Sequence, residues 1–478
     1  MGKIGKLFTT ILVLGAIAGI GVGGYYGYQY LKNRRSNDSM TKQNGGSQGN
    51  QSNNPNGKID EKDPKNSGNK NNQNGGSSSE NNSNGNLNVD GSSNENTNND
   101  LSSERKSDKP TLKITDAIER MFYKPKNLIR VGHWNILNYG GAEGRDKKGP
   151  KVRAISELIY KSKLDVVGLT EINYNSGQHV QNIVDVLNEI SGGNSYRYLI
   201  QPLQDANPTS SNATKEQVAI IYNSDKIREK NFATTGRSIQ SYGTKNQFNG
   251  TSYKRPLFGA YFETIEGNKP FVSIFAHLDS PDAATGEQKD QRYPGQGFQE
   301  VAEALEIPNA FKYYEQLSNN ASIIFGGDTN IKTENNSLFN SQAFKKYNIE
   351  NYYGEMKIHE NAGASKSKKY EFYETSLGRS EKSGYANAYD KLLFKENNGL
   401  NIINEYEKNN YPDRNYQNVS FKADIVNGFK NGIWDRNIIL NLKPELRKNS
   451  KGQQISDFSF IRNKISDHTL VYLDFEVK

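Results

Sequence analysis

The sequence predicts an α/β domain in which sheets pack against helices, and it places this domain in residues 111–478. Three observations predict this class. Short apolar runs rich in β-branched and aromatic residues recur along the region, turn residues separate them, and longer stretches with helical spacing lie between them. Strands that alternate with helices in this way are typical of layered α/β folds.

Residues 1–35 are predicted to be a signal anchor with a single transmembrane helix. An uncharged and mostly apolar stretch covers residues 7–28, and about 20 apolar residues are enough to cross a bilayer as a helix. A cleaved signal peptide is the alternative, because Ala16-Ile17-Ala18 has the small-x-small spacing of a cleavage site. The apolar and aromatic residues continue past that site to Leu31, which favours the anchor.

Residues 36–110 are predicted to be a disordered linker. They consist mainly of Asn, Ser, Gly and Lys and contain no aromatic residue. Such a segment buries too little apolar surface to offset the entropy lost on ordering. We therefore expect a flexible tether between the anchor and the domain.

Eight strands and three helices are predicted within the domain. The strands are LIRVGHWNIL, LDVVGLTEI, VAIIYN, FGAYFETI, PFVSIFAHL, SIIFGGD, YDKLLF and TLVYLDFEV. The helices cover residues 152–161, 180–190 and 299–317. Each strand run is short and bounded by turn residues, and each helical stretch repeats its apolar residues at helical spacing.

Composition limits the chemistry open to this chain. It contains no cysteine, which excludes disulfides, thiolate metal sites and cysteine nucleophiles. Any metal must therefore be held by oxygen or imidazole ligands. The net charge is +8, but five basic residues and no acidic ones lie in the first 35 positions, so the mild basic excess of the domain does not by itself indicate nucleic acid.

Polar residues lie at the ends of the predicted strands, where layered α/β folds place their sites. Asn135 follows an apolar run in HWNILN and Glu171 does so in GLTEI, although either alone could be a cap or turn residue. Asp328 and Asn330 follow a strand that ends in two glycines, a sequence that allows backbone and carboxylate to approach a ligand closely. An Asx turn is the alternative interpretation of Asp-x-Asn.

Two of the five histidines also lie at strand boundaries. His277 follows a strand in SIFAHLDSP, and His468 precedes the last strand beside Asp467. Asp390, at the start of another strand, could orient an imidazole through a hydrogen bond. Either histidine taken singly could instead be an ordinary core or surface residue. Carboxylate and amide oxygens suit Mg²⁺ or Ca²⁺, and oriented imidazoles can transfer protons, so the set has the chemistry that phosphodiester hydrolysis needs.

The order of these motifs resembles the endonuclease/exonuclease/phosphatase superfamily, to which DNase I belongs. The resemblance extends from about residue 127 to the C-terminus and rests on short motifs in a fixed order. The ordered set comprises Asn135 in WNILN, Glu171 in LTEI, Glu216 in KEQVAIIYN, Arg255-Pro256 in KRPLF, His277 in HLDSP, Asp328 and Asn330 in GDTN, Asp390 in YDKLLF and Asp467-His468 in SDH.

The resemblance implies a DNase I-like four-layer α/β sandwich and a role for each matching residue. Glu171, Asn135 and Asp467 would hold the metal, and Asp328 and Asn330 would complete the metal and phosphate shell. His277 paired with Glu216, and His468 paired with Asp390, would be the catalytic histidines. Arg255 would contact a phosphate or the DNA backbone, with an ordinary surface arginine as the alternative. The implied cofactor is Mg²⁺ or Ca²⁺, with Mn²⁺ as a further candidate, and the motifs leave open whether one or two ions take part.

The expected function is that of a membrane-anchored extracellular nuclease that hydrolyses DNA, and RNA as a second substrate, to fragments for uptake. The tethered design is similar to membrane nucleases of mycoplasma-type bacteria. A sphingomyelinase-like enzyme is the first alternative, and exposed aromatic clusters such as Tyr352-Tyr353 or those in residues 370–373 would favour it. A surface protein that binds nucleic acid without catalysis is the second. No protein partner is predicted. Residues 334–383 and 395–466 exceed a minimal domain and are expected to be added loops.

Overall fold

The computed structural model describes residues 112, 114–206, 215–243, 252–281, 289–352, 354, 370–403 and 421–477. The predicted anchor and linker, residues 1–35 and 36–110, lie outside this set. Within the described set, none of the helices combines the length and the apolar character that crossing a bilayer requires.

Two sheets form the centre of the domain. The strands are β1 Leu128–Tyr139, β2 Val166–Asn173, β3 Tyr196–Ile200, β4 Glu216–Asn223, β5 Ile227–Glu229, β6 Ile239–Tyr242, β7 Leu257–Thr264, β8 Pro270–His277, β9 Ser322–Asp328, β10 Glu350–Asn351, β11 Ser376–Leu377, β12 Tyr385–Asn387, β13 Asp390–Lys395, β14 Asn401–Ile403 and β15 Val471–Glu476. The first sheet has the order β14-β15-β1-β2-β4-β3, and the second has the order β10-β13-β9-β8-β7-β5, with β6 also pairing with β7. Strands β11 and β12 form a separate pair.

The helices lie between and after these strands. The α-helices are α1 Asp116–Met121, α2 Ala142–Arg145, α3 Pro150–Lys161, α4 Val180–Ser191, α5 Phe298–Leu317, α6 Gln342–Lys345, α7 Arg436–Leu442 and α8 Asp457–Phe460. Short 3₁₀ segments cover Gly177–His179, Thr333–Asn340, Glu381–Ser383 and Pro444–Arg447, and a π-helical turn covers Ile461–Ile465. All eight predicted strands and all three predicted helices are present, with bounds that differ by at most two residues at every end.

Three apolar cores separate four layers. The first joins β1 and β2 to α3 and α4, as in the contacts of Trp134 with the buried face of α3. The second joins the two sheets and contains both Phe275 on β8 and Val166 on β2. The third joins the far face of the second sheet to α5, where Ile274 and Ile307 are both fully buried. Helix, sheet, sheet and helix therefore stack in this order, which is the predicted four-layer α/β sandwich.

Each sheet contains one parallel pair, and the rest of the pairs are antiparallel. Strands β1 and β2 run parallel and are connected through α3, and β8 and β9 run parallel and are connected through α5. The carboxyl ends of these four strands and the amino ends of their antiparallel neighbours lie at one edge of each sheet. This topology brings together the polar residues that the sequence places at strand ends.

The described parts of the two long insertions pack on the sandwich. Strand β10 pairs with β13 and extends the second sheet. Trp434, which is 1% exposed, donates its indole N–H to the Ala154 carbonyl of α3 at 2.9 Å. These parts of residues 334–383 and 395–466 therefore enlarge the layers themselves, where the sequence predicted added loops.

A buried ion pair fastens β1 to β15. Arg130, which is 0% exposed, donates from Nε and Nη2 to the two oxygens of Asp474 at 2.6 and 2.8 Å. Its Nη1 also donates to the Ser162 carbonyl at 2.8 Å. Because the guanidinium has little access to water, the Asp474 carboxylate is the group that neutralises its charge in the interior.

The variant Asp474→Ala is expected to lower the free energy of unfolding by about 3–5 kcal/mol, because it leaves a buried guanidinium without its counter-charge. Urea denaturation followed by far-UV circular dichroism measures the loss. The double variant Arg130→Met/Asp474→Leu is the matched control and is expected to recover most of the stability, since it removes both charges. A loss below about 1 kcal/mol in the single variant, as for an exposed pair, would contradict this account.

Candidate active site

The polar edge of the sandwich is formed by both sheets. On the second sheet, His277 at the end of β8 pairs in register with Asp328 at the end of β9, and Asp390 at the start of β13 also pairs with Asp328. On the first sheet, Asn135 of β1 pairs with Thr170 of β2. The strand ends explain why residues from separate parts of the chain converge here.

Glu171 occupies a bulge in β2 and has a left-handed backbone. Its φ is 59°, and the register of β2 against β4 shifts between Leu169 and Ile172. Non-glycine residues seldom adopt this conformation, and bulges often redirect a side chain next to a functional site. One carboxylate oxygen accepts from the amide nitrogen of Asn135 at 2.8 Å, and the other accepts from the Asn138 backbone N–H at 2.9 Å.

Asn135 connects two of the predicted metal-shell carboxylates. Its amide nitrogen donates to Glu171 and also to Asp328 Oδ2, at 3.0 Å. Its amide oxygen accepts from the Leu137 backbone N–H at 3.0 Å. In this arrangement the side chain orients the two carboxylates as a hydrogen-bond donor, and its predicted role as a metal ligand stays a prediction.

Asp328 uses its two oxygens differently. Oδ1 accepts from the Asn330 backbone N–H at 3.1 Å, so the Asx turn considered as the alternative is present. Oδ2 faces the site, where it also lies 3.7 Å from His277 Nε2 and 3.5 Å from His468 Nε2. The turn and the site role are therefore compatible. Asn330, with φ of 54°, donates from its amide to the Leu278 carbonyl at 3.1 Å and thereby braces the residue after His277.

Close packing of neighbouring side chains accounts for the two glycines before Asp328. The sequence suggested that they let a ligand approach the backbone. A Cβ on Gly326 would instead meet the Cβ of His133 at 2.7 Å, and a Cβ on Gly327 would meet the ring of Phe325 at 2.8 Å. Gly326 thus makes room for a side chain from the facing sheet.

His277 and Glu216 form the first predicted pair. His277 Nδ1 lies 2.8 Å from Glu216 Oε2, which leaves Nε2 on the side of Asp328. Burial and the charge of Arg255 lower the pKa of His277, but the carboxylates of Glu216 and Asp328 outweigh them and raise it above its usual value. Burial raises the pKa of Glu216, and His277 and Arg255 together bring it below its usual value.

Arg255 lies beneath this pair and is 6% exposed, so it is not an ordinary surface arginine. Its Nε donates to the His277 carbonyl at 2.9 Å, and its Nη2 donates to the Leu278 carbonyl at 2.5 Å. Nε is also 3.8 Å from Glu216 Oε2. The guanidinium therefore holds the backbone of His277, and its predicted contact with a phosphate or the DNA backbone stays a prediction.

His468 and Asp390 form the second predicted pair. His468 Nδ1 lies 2.7 Å from Asp390 Oδ2, and both side chains are buried. Burial lowers the pKa of His468, but Asp390 and Asp328 raise it well above its usual value. Burial raises the pKa of Asp390, while the adjacent imidazoles of His468 and His133 lower it far below the usual range.

The acidic residues fit a hard divalent cation. Glu171 and Asp328 share the Asn135 amide, and Asp467 contributes an Oδ1 that is buried without a hydrogen-bond partner among the described residues. A buried oxygen of this kind is what a cation would satisfy. Asp328, Asp390 and His468 also offer ligand atoms within 4.8 Å of one another. The hydrogen bond between His468 and Asp390 contributes to that closeness. Glu171, Asp328 and Asp467 stay the metal-shell residues that the sequence predicts.

Sequence reasoning missed two residues beside this set. Lys151 at the start of α3 lines a cleft of about 190 Å³ together with Asn138 and Asp467. Burial lowers its pKa to about 8 against the attraction of Glu143, Glu171 and Asp467. Lysine near the amino end of an amphipathic helix gives no distinguishing pattern, so no sequence signal marked it.

His133 is the second missed residue. It is 0% exposed, and its Nδ1 lies 3.2 Å from Asp390 Oδ1. A signal was available, because His133 and Asn135 are two positions apart on β1 and alternate residues of a strand face the same side.

Two of the four described aromatic residues in the clusters considered for lipid entry belong to the core, and the other two, Tyr370 and Phe372, are partly buried. Tyr352 and Tyr373 are 4% and 5% exposed. Phe372 is partly buried, and its ring centroid lies 5.4 Å from that of Phe421. Tyr353 lies outside the described residues. Among the described aromatics of these two clusters, packing therefore replaces the exposed hairpin that a lipid-binding enzyme would need.

The free energy of unfolding of the metal-free protein is expected to depend on pH through the two histidine pairs. Folding raises the pKa of both histidines. Their contribution to the free energy of unfolding is therefore complete below about pH 6.5, the unfolded value, and is lost as pH rises through the folded values. The carboxylate pKa values are lowered, so their contribution is complete above about 4, near their unfolded values, and is lost as pH falls through the folded ones.

The free energy of unfolding in EDTA is therefore expected to be highest between about pH 4 and about pH 6.5 and to fall toward alkaline pH. Urea unfolding measured at several pH values tests this, with the double variant His277→Ala/His468→Ala as the control. The control should show a flatter decline on the alkaline side. Equal alkaline slopes in the two proteins would show that the pairs do not contribute.

No family model matches the chain. An uncharacterized protein of Mycoplasma pneumoniae is 24% identical over 429 residues, covering 61% of this chain and 84% of that protein.

Three solved structures are also similar to this chain. The human Nocturnin catalytic domain with bound sulfate has a TM-score of 0.42 and 15% identity and covers 75% of this chain and 98% of its own. An endonuclease/exonuclease/phosphatase family protein from Bacteroides thetaiotaomicron has a TM-score of 0.42 and 13% identity, covering 73% and 98%. TDP2 from D. rerio complexed with a single-strand DNA product has a TM-score of 0.36 and 11% identity, covering 73% and 99%.

Proposed function

We propose that this chain is a divalent-metal-dependent phosphodiesterase of the endonuclease/exonuclease/phosphatase type, and that its substrate is nucleic acid. One observation carries the proposal. The Nε2 atoms of His277 and His468 lie 3.7 and 3.5 Å from the same oxygen of Asp328, while their Nδ1 atoms are engaged by Glu216 and Asp390. Two imidazoles held from behind by carboxylates and facing one acidic centre suit proton transfer around a bound phosphate.

Hydrolysis requires a proton acceptor and a proton donor on opposite sides of the phosphorus. One imidazole, in its neutral form, takes a proton from the water whose oxygen bonds to phosphorus. The other, in its protonated form, supplies a proton to the oxygen that leaves as the P–O bond breaks.

Glu171, Asp328 and Asp467 are the residues that would hold the cation. When bound there, Mg²⁺, Ca²⁺ or Mn²⁺ would neutralise charge on the phosphate oxygens and lower the pKa of a bound water. Asn135 fixes Glu171 and Asp328 relative to each other. Arg255 fixes the His277 backbone. The protein thus supplies an arranged site before the substrate arrives, which is the main protein contribution to phosphoryl transfer.

Nucleic acid is preferred over a lipid headgroup because Tyr352 and Tyr373 are buried in the core and Phe372 packs against Phe421. Lys151 at the cleft beside Asp467 provides a cation near the site, as phosphate-rich substrates require. DNA is the primary proposed substrate and RNA the second. A sphingomyelinase-like activity remains the alternative.

The substrate is tested by incubating the purified protein with supercoiled plasmid, single-stranded RNA and sphingomyelin vesicles, each with Mg²⁺, Ca²⁺ or Mn²⁺. Metal-dependent nicking of plasmid supports the nuclease. Hydrolysis of sphingomyelin with intact nucleic acids would replace the substrate but keep the site. No hydrolysis of any substrate would favour a binding protein without catalysis.

We propose further that residues 1–35 anchor the protein in the cell membrane and that residues 36–110 tether an extracellular domain, which would release fragments for uptake. The apolar stretch at residues 7–28 and the polar composition of residues 36–110 support this. The test is digestion of intact cells with an external protease, followed by immunoblotting for the domain. Protection of the domain in intact cells, with loss after lysis, would contradict the extracellular placement.

A further inference from the structure

His133 lies behind the candidate active site. Only the kinetic effect of replacing it rests on the proposed function. His133 is 0% exposed on the face of β1 that packs toward the second sheet. Its ring stacks on Phe275 with 6.4 Å between centroids and 17° between planes. Gly326 on β9 leaves the space for its Cβ. The side chain is thus enclosed by residues of both sheets.

Both nitrogens of the His133 ring meet polar atoms. Nδ1 lies 3.2 Å from Asp390 Oδ1, and Nε2 lies 3.1 Å from Thr170 Oγ1. An ionised carboxylate can only accept hydrogen bonds, so the proton of a neutral ring belongs on Nδ1. Nε2 is then an acceptor, and the Thr170 hydroxyl donates to it. The two contacts together specify one tautomer of His133.

Asp390 is consequently held by two imidazoles through different oxygens. Oδ2 accepts from His468 Nδ1 at 2.7 Å, and Oδ1 faces His133 Nδ1. The 3.2 Å contact of Oδ1 with His133 Nδ1 is a close polar contact outside strict hydrogen-bond geometry. A carboxylate with a single partner can rotate about its terminal bond, whereas polar contacts at both oxygens restrict that rotation. The direction of Oδ2 in turn determines where the His468 ring points its Nε2.

We propose that His133 is a positioning residue that fixes the Asp390 carboxylate and, through it, the orientation of His468 toward the reacting phosphate. The connection runs from Thr170, the neighbour of Glu171 in β2, through His133 and Asp390 to His468. It links the strand that carries a metal-shell residue to the opposite sheet, which carries the histidine's partner. Both parts of the site are therefore connected by one buried chain of polar contacts.

The test uses two amide substitutions that differ in which ring nitrogen they reproduce. His133→Asn places an amide nitrogen near the position of Nδ1 and keeps a donor to Asp390. His133→Gln places its amide near Nε2 and loses that donor. His133→Phe keeps the ring against Phe275 and removes both nitrogens. Thr170→Val removes only the hydroxyl that fixes the tautomer.

In the full-length enzyme with Mg²⁺ and plasmid, the Gln and Phe variants are expected to lose about 10–100-fold in kcat, the usual effect of a residue that supports a site from behind. Their KM should stay near that of the wild type, and the Asn variant should recover most of the loss. Thr170→Val should fall between them. Wild-type kcat in both the Gln and Phe variants, or equal losses in the Asn and Gln variants, would overturn the proposal.

A second measurement needs no catalysis. The imidazole N–H proton that His468 shares with Asp390 should give a downfield proton resonance, assigned by its loss in His468→Ala. This resonance should persist in His133→Asn and shift or broaden in His133→Gln, even if plasmid is not the substrate. An unchanged resonance in folded His133→Gln would overturn the positioning role, whereas absence of activity with an intact resonance pattern would overturn only the proposed function.

Discussion

The variant His468→Ala is expected to lower kcat for plasmid cleavage by about 10²–10⁴-fold, the usual contribution of a positioned acid–base group. That range corresponds to about 2.7–5.5 kcal/mol of transition-state stabilisation. The physical reason is that His468 Nε2 lies 3.5 Å from Asp328 at the centre of the site while its Nδ1 is held by Asp390. Single-turnover kinetics with enzyme in excess measures the chemical step directly.

The matched control is His179→Ala, which removes a histidine from the 3₁₀ segment Gly177–His179 on the first-sheet side of the fold. It should retain wild-type kcat. Asp390→Asn should show a large loss as well, and the double variant should lose little more than His468→Ala, because residues that act as one unit are not additive. Full additivity of the two losses would contradict a paired role.

Replacement of Glu171 is expected to lower the activity to a comparable extent, because it weakens binding of the cation. Glu171→Gln removes one negative charge from the set formed with Asp328 and Asp467, and the concentration of Mg²⁺ needed for half-maximal activity should rise about 10–100-fold. At saturating Mg²⁺, part of the activity should return. Titration of Mg²⁺ against the initial rate of plasmid nicking measures the shift.

Glu266→Gln is the control for charge alone, because Glu266 is exposed in the turn between β7 and β8. It should leave the Mg²⁺ dependence unchanged. If Glu171→Gln and Glu266→Gln shift the Mg²⁺ requirement equally, the effect belongs to general electrostatics and Glu171 is not part of the cation site.

The sequence was sufficient for the main layers because their signals are local. The central strands are apolar runs of six or more residues, and the three long helices repeat their apolar residues at helical spacing. The strands that were missed are short edge or satellite strands such as β3, β5, β6 and β14, which have three to five residues. Pairing with a neighbour defines these strands, and that information is absent from the local pattern.

The site was predictable as a set of residues and less so as a set of contacts. Strand ends and motif order selected Glu171 and both histidines as candidates, and the predicted partners Glu216 and Asp390 lie at hydrogen-bond distance from His277 and His468. The inward direction of Arg255 was not predictable, because an arginine beside a strand can point either way. The purpose of Gly326 depends on His133 in another sheet, and only the folded arrangement shows that contact.

We propose that two carboxylate-held histidines and a divalent cation cleave a phosphodiester at this edge of the sandwich. The most direct measurement is the rate of supercoiled plasmid nicking by the full-length protein with Mg²⁺, with EDTA, and in the double variant His277→Ala/His468→Ala. We expect EDTA to abolish nicking and added Mg²⁺ to restore it. The double variant should remain folded and should not nick the plasmid. Nicking that persists in the folded double variant, or that is indifferent to EDTA, would contradict it.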